Sequence, residues 1–190
     1  MIAKSTVEKY KIWFDYYINQ FLIKYPELSE NIQIKADHCK KVSEEIVDIA
    51  KNLQLNENEI LLAQTIGLFH DLGRFRQYVK YQTFSDSKSQ NHAELAIDVL
   101  KENRILSDLS IENQEIIYNA IKNHSRAEIM TDKNDQVLFF SKLIRYADKL
   151  DIWRLITEYY MHKQARATTT LEHESPTHED NRDEESQATL

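Results

Sequence analysis

Glycine and proline are nearly absent from this chain of 190 residues, with two of each, where average usage gives roughly 13 and 9. Turns and bulges of β-proteins consume both residues, so this scarcity excludes a many-stranded sheet and predicts an all-α fold. Cysteine is equally scarce: Cys39 alone excludes an intramolecular disulfide framework. No apolar run approaches the ~20 residues of a membrane span, and the N-terminal residues lack a charged-then-apolar leader pattern. A protein of the reducing cytoplasm, without membrane contact, is the expectation. Excess positive charge is missing too. The net charge is −7, so no overall basic field offers itself to nucleic acid.

The negative charge is unevenly placed. Residues 165–190 hold seven acidic residues against Arg166 and Arg182, a net −5, which leaves −2 for residues 1–164. That C-terminal stretch has too little apolar surface to offset the entropy of ordering and is expected to be disordered. Residues 1–164 are expected to form one domain, long enough to bury a core.

What is present reads as helices. Ser5 with Glu8 has capping-box spacing, and Tyr10, Trp13, Phe14, Tyr17, Ile18, Phe21 and Leu22 follow as an i, i+3, i+4 stripe that Pro26 ends. A second helix is predicted over 29–53, with Val42, Ile46, Ile49 and Leu53 on one face. A third begins at Asn56, with Glu59 completing a capping box and Gly73 placed as its C-terminal stop. Residues 74–90 lack a period and read as a loop. Helices resume over 91–103, 110–124 and 135–163, the last with a stripe of Val137, Phe140, Ile144, Ile152, Leu155 and Tyr159.

The histidines fall on the apolar stripes. His38 precedes Val42 and Ile46 at steps of four, and His70 follows Leu62 and Ile66. His92 heads a stripe with Ala96 and Val99, while His124 ends one with Ile117 and Ile121. Asp148 lies midway between Ile144 and Ile152. One inward histidine is ordinarily a hydrogen-bonded core residue. Four of them beside inward carboxylates suit a cation, because buried charge must be paired or metal-bound and imidazole and carboxylate are first-row metal ligands. His70 and Asp71 are adjacent, and helical neighbours point ~100° apart. Both reach one centre only if the backbone opens at a helix end before Gly73.

The order His38, His70-Asp71, His92, His124, Asp148 resembles the H…HD…H…H…D pattern of the HD-domain superfamily of metal-dependent phosphohydrolases. The local contexts match as well: ADHCKKV, LFHDLGRF, NHAELAIDVL, IKNH and YADKLDIW, over about residues 30–160. The resemblance implies a helical bundle with a central metal site. It implies that His38, His70, Asp71 and Asp148 hold one divalent ion (Mn, Fe, Co or Ni) and that Asp71 bridges to a second ion held by His92 and His124. The Gly-Tyr-Pro motif of the HD-GYP cyclic-dinucleotide phosphodiesterases is absent, so that substrate is not implied.

Two such ions activate water and neutralise phosphoryl oxygens. The implied substrate is a small phosphate mono- or diester, such as a nucleotide. Di-iron oxygenases of the same fold, and non-catalytic regulatory modules, share the ligand pattern. Asp71 is the expected catalytic hub, and Arg74 and Lys41, each three residues past a motif residue, are the expected phosphate-binding cations, with Lys88 and Lys149 nearby in sequence. Asp151, one turn past Asp148, is an orienting group or a salt-bridge partner. Cys39 faces away from His38 on its helix, and Tyr78, Tyr81 and Phe84 are candidates for a lid. Deleting residues 165–190 is expected to leave melting temperature and metal content unchanged; a large fall in melting temperature would place a structural role in that segment.

Overall fold

A computed structural model describes residues 2–129 and 134–173, with side chains through residue 161. Helices α1 (Lys4–Lys24), α2 (Ser29–Asn52), α3 (Glu57–Phe69), α4 (Gly73–Tyr81), α5 (His92–Glu102), α6 (Ile111–His124) and α7 (Asp135–His173) are joined by short turns, with no strand among the described residues. The fold is all-α, as the composition predicts. Contacts divide the chain into residues 1–153, which carry the core and every motif residue, and a second unit, Arg154–Leu190. The second unit is described only as the continuation of the α7 backbone to His173. The helix thus passes residue 163, and residues 174–190 lie outside the described part.

Scarce glycine has a direct structural counterpart. Backbone turns with positive φ are made by Gln54 (57°), Gln82 (52°) and Arg104 (51°), and by no glycine. Both glycines instead mark close approaches between helices. A Cβ on Gly67 would lie 2.9 Å from Ser43 Cα, where α3 rests on α2. A Cβ on Gly73 would strike the His92 carbonyl oxygen and lie 2.6 Å from Ala96 N. Gly73 therefore does not stop α3; it opens α4, and its missing side chain lets α5 press against α4.

Two further expectations are corrected. Residues 73–81 are helical, not loop. Their inward face carries Phe75 but also the fully buried polar Gln77, and a polar residue on the buried side erased the apolar period. The capping box at Ser5 is absent, since the N-cap of α1 lies two residues earlier, at Ala3, without a side-chain cap. The buried Ile2 anchors the chain before the helix, its amide donating to Asn58 Oδ1 at 2.8 Å. The Asn56–Glu59 capping box is present, with both bonds at 3.0 Å.

The core is dominated by fully buried Phe14, Phe69, Phe75 and Phe140, each worth about 1.5–3 kcal/mol relative to exposure. The aromatic stripe of α1 closes on two of them. Tyr10 and Trp13 meet Phe69 at centroid distances of 5.6 and 6.0 Å, and Phe14 and Phe21 meet Phe75 at 6.0 and 6.3 Å. Phe69 and Phe75 flank the sequence His70-Asp71-Leu72, so α1 clamps the short turn that carries the motif pair. Within that turn Leu72 N–H donates to Phe69 O at 3.1 Å and Arg74 N–H to Asp71 O at 2.9 Å. The backbone at this helix end tightens into i→i+3 bonds and does not open.

Gly73→Ala is expected to destabilise the protein by about 1–3 kcal/mol or more, because the added methyl meets backbone and not a movable side chain. Urea denaturation checks this, and a neutral result would mean that the α4–α5 approach is not tight.

Candidate metal centre

Five elements bring the motif residues to one point. His38 comes from α2, His70 and Asp71 from the α3–α4 turn, His92 from the first residue of α5, His124 from the last of α6, and Asp148 from α7. The four histidines and Asp71 are buried, and Asp148 keeps 19% of its side chain exposed. Asp71, His92, His124 and Asp148 border a cleft of about 380 Å³ whose wall also includes Lys35, Arg74, Phe84 and Asp86.

Each imidazole is held from behind. His38 Nδ1 lies 2.7 Å from Asp151 Oδ2, and His92 Nδ1 lies 2.8 Å from Asp86 Oδ2. His70 Nδ1 meets the Gly67 carbonyl at 2.8 Å, and His124 Nδ1 meets that of Ile121 at 2.6 Å. All four partners are acceptors, so Nδ1 carries the proton and each Nε2 lone pair faces the centre.

The Nε2 atoms sort into two pairs around Asp71. His38 and His70 stand 3.8 and 3.7 Å from Asp71 Oδ2, and 3.1 and 3.6 Å from Asp148 Oδ1. His92 and His124 stand 3.3 and 3.6 Å from the other oxygen, Asp71 Oδ1, and 3.1 Å from each other. The two Nε2 atoms of His38 and His70 are buried without a hydrogen-bond partner. Unsatisfied buried lone pairs are costly, and cis ligands of one octahedral ion bonded at about 2.1 Å stand about 3 Å apart. Among the described residues three groups have ligand atoms close enough to share an ion: His38, His70 and Asp71; Asp71, His92 and His124; and His70, His124 and Asp148. The residues present fit divalent metal, and it is the first two groups that Asp71 links.

Electrostatics agree with ligation. Burial would raise the Asp71 carboxyl, but the Lys35 ammonium beside it holds it well below the usual carboxylate range. Burial pushes His92 down to about 4, so this imidazole is neutral near pH 7 and free to donate its lone pair. Burial also pushes the Cys39 thiol well up, which keeps it protonated.

The cations are arranged differently from the sequence expectation. Lys41 is paired with Glu44 at 3.3 Å and does not border the cleft. The lysine that does is Lys35, its ammonium 2.8 Å from Asp71 Oδ2. It lies three residues before His38 where Lys41 lies three after, so the two sit on opposite sides of the histidine around α2. Arg74 reaches the cleft wall, but its guanidinium is engaged by Asp71 at 3.3 Å, Gln77 at 2.9 Å, Asp86 at 3.1 Å and the Phe84 carbonyl. Lys88 lies in the short turn Asp86–Lys88, and Lys149 borders a different cleft.

Asp86 was not legible in the sequence because it lies in an aperiodic loop. Gln77 Nε2 ties that loop at Asp86 Oδ1, Ser89 Oγ and the Gln90 carbonyl, at 2.7–2.8 Å. Of the proposed lid aromatics, Phe84 lines the cleft and stacks on Tyr78 at 4.4 Å, whereas Tyr81 bonds outward to Gln90.

An all-α bundle that converges four imidazoles and two carboxylates on one buried point defines a class of metal-site helical proteins. The HD-domain family model matches residues 36–153, which include all six motif residues, and the chain belongs to the HD-domain family. HD domains form a superfamily of metal-dependent phosphohydrolases. Comparison with curated proteins and with solved structures gave no match. Among the described residues no helix is long and apolar enough to cross a membrane.

Asp86→Ala removes the acceptor that fixes the His92 tautomer. Metal affinity at the His92–His124 pair is expected to fall about 10–100-fold with the fold retained, as read by metal titration alongside circular dichroism. Unchanged affinity would show that Asp86 does not orient His92.

Proposed function

We propose that this protein is a two-metal phosphohydrolase that cleaves a small phosphate mono- or diester, of nucleotide type. One observation carries this reading: the two oxygens of Asp71 face two different imidazole pairs. By this assignment His38, His70, Asp71 and Asp148 hold one divalent ion (Mn, Fe, Co or Ni), and Asp71, His92 and His124 hold the second. Bound there, the ions supply a hydroxide nucleophile near neutral pH and neutralise phosphoryl charge.

The chain's own residues supply orientation and a further cation. Asp151 and Asp86 set the tautomers of His38 and His92, while Gly67 and Ile121 carbonyls do so for His70 and His124. Lys35 takes the phosphate-binding role first expected of Lys41. Its ammonium has three donors, Asp71 uses one, and the rest are free to meet a substrate oxygen from the cleft wall. Arg74 fixes Asp86 and the Phe84 backbone against α4, and so shapes the cleft.

Protein purified without chelator is expected to carry about two metal ions per chain, and His92→Ala or His124→Ala about one. Saturation of the wild type at one ion would overturn the bridged assignment. Asp71→Asn should lower metal affinity and turnover together. Lys35→Ala should keep the metal and lose kcat/KM by the equivalent of about 2–4 kcal/mol, as for loss of one electrostatic donor. A panel of phosphomonoesters and diesters assayed with the metal-loaded protein reads these effects, and a panel without turnover would sink the hydrolase reading.

A further inference from the structure

Helix α1 is apolar on both sides. Its inner face buries Tyr10, Phe14, Tyr17 and Ile18 in the core. On its outer face Ile12, Tyr16 and Ile23 stand 70%, 63% and 73% exposed. With the exposed Asn19 they fall at i, i+4, i+7 and i+11, a single line along one side of the helix. Apolar residues scattered singly over a surface mean little, whereas a contiguous line of them marks an interaction site. A helix apolar all round has the pattern of one that is enclosed. Tyr16 and Asn19 also border a groove of about 410 Å³ between α1 and α2, which leaves room beside the line for the side chains of an incoming helix.

The edges of the line say what it faces. Glu8 and Asp15 lie along one edge, and Lys9 and Gln20 along the other. A face with both signs of charge suits a copy of itself. Two copies set parallel about a two-fold axis bring Glu8 of each level with Lys9 of the other. Set antiparallel, the two acidic edges meet. An asparagine within an apolar helix seam fixes the register of a helix pair, and in the parallel pair Asn19 meets Asn19 of the second copy. The exposed apolar face of α7 around Tyr146 is less suited to self-pairing, because Lys142, Arg145 and Lys149 share its cleft and two copies would set cations against cations. Pairing through the outer face of α1 removes on the order of 600 Å² from each copy, the lower end of specific interfaces at about 1,200 Å² in total.

We propose that the outer face of α1 is a dimer interface, at which a second copy of this chain pairs in parallel through Ile12, Tyr16, Asn19 and Ile23. The inference is independent of the hydrolase reading. Because the inner face of α1 packs on Phe69 and Phe75, on either side of His70-Asp71, the second copy braces the helix that holds the metal turn.

The test is sedimentation velocity of the full-length protein over a range of concentrations. The sedimenting mass is expected to rise from one chain to two in the micromolar range, and the melting temperature to rise with concentration. The double variant Ile12→Glu/Ile23→Glu sets carboxylates against their own copies and is expected to weaken pairing about tenfold or more, with circular dichroism unchanged. Tyr146→Glu, on α7, should leave pairing as it is. Asn19→Cys places one thiol near the axis, and since Cys39 is buried, mild oxidation should cross-link the copies at residue 19. Asp15→Cys, at the edge, should not cross-link. A chain that stays monomeric up to about 100 μM overturns the proposal, as does a dimer that survives the double variant. Loss of the dimer through Tyr146→Glu would assign the interface to α7, and cross-linking at residue 15 in place of 19 would exclude the parallel pair.

Discussion

The structure depends on keeping one carboxylate, Asp71, ionised inside a helical core. A buried charge of this kind costs several kcal/mol unless it is compensated. Lys35 meets one oxygen at 2.8 Å and Arg74 reaches the other at 3.3 Å, while four imidazole nitrogens stand within 3.8 Å with their lone pairs toward it, an arrangement that a cation between them would relieve. The carboxylate also sits on a turn only three residues long, His70 to Leu72, between two helices. That turn holds its place because Phe69 and Phe75 on either side are packed under the aromatic face of α1. Aromatic packing, which has no chemistry of its own, thereby fixes where the buried carboxylate sits.

The sequence disclosed what periodicity can carry. His38, His70, His92 and His124 lie one helical step from apolar residues that are buried, so their inward direction was readable without coordinates. The two residues that sequence reasoning missed have a different origin. Asp86 reaches His92 from a loop folded back by Gln77, a long-range arrangement with no local signature. Lys35 and Lys41 are equivalent in sequence distance from His38, and only the sense of rotation around α2 separates them. Helix α4 escaped notice because its buried face includes Gln77, whose amide organises the loop.

Scarcity of glycine acquires a second meaning in the same light. An α-helical bundle with glycine at its caps would resemble many others. Here the ends of α2, α4 and α5 are closed by glutamine and arginine in left-handed conformations, and the two glycines are reserved for helix crossings. Gly67 lets α3 lie on α2, and its carbonyl holds His70. Gly73 lets α5 lie on α4, which brings His92, the first residue of α5, to Asp71. Each glycine thus adjusts one histidine of each pair.

The four tethers behind the imidazoles are not alike. In each pair one ring is held by a backbone carbonyl three residues earlier in its own chain segment, and the other by a carboxylate from elsewhere in the fold. A carbonyl tether survives side-chain substitution and gives a donor of ordinary strength. A carboxylate tether makes its imidazole the more electron-rich ligand and can be exchanged by a single codon. Descendants of this sequence therefore have two adjustable dials, Asp151 and Asp86, one for each half of the centre. Drift at either position would retune one half while the helical frame left the other as it was.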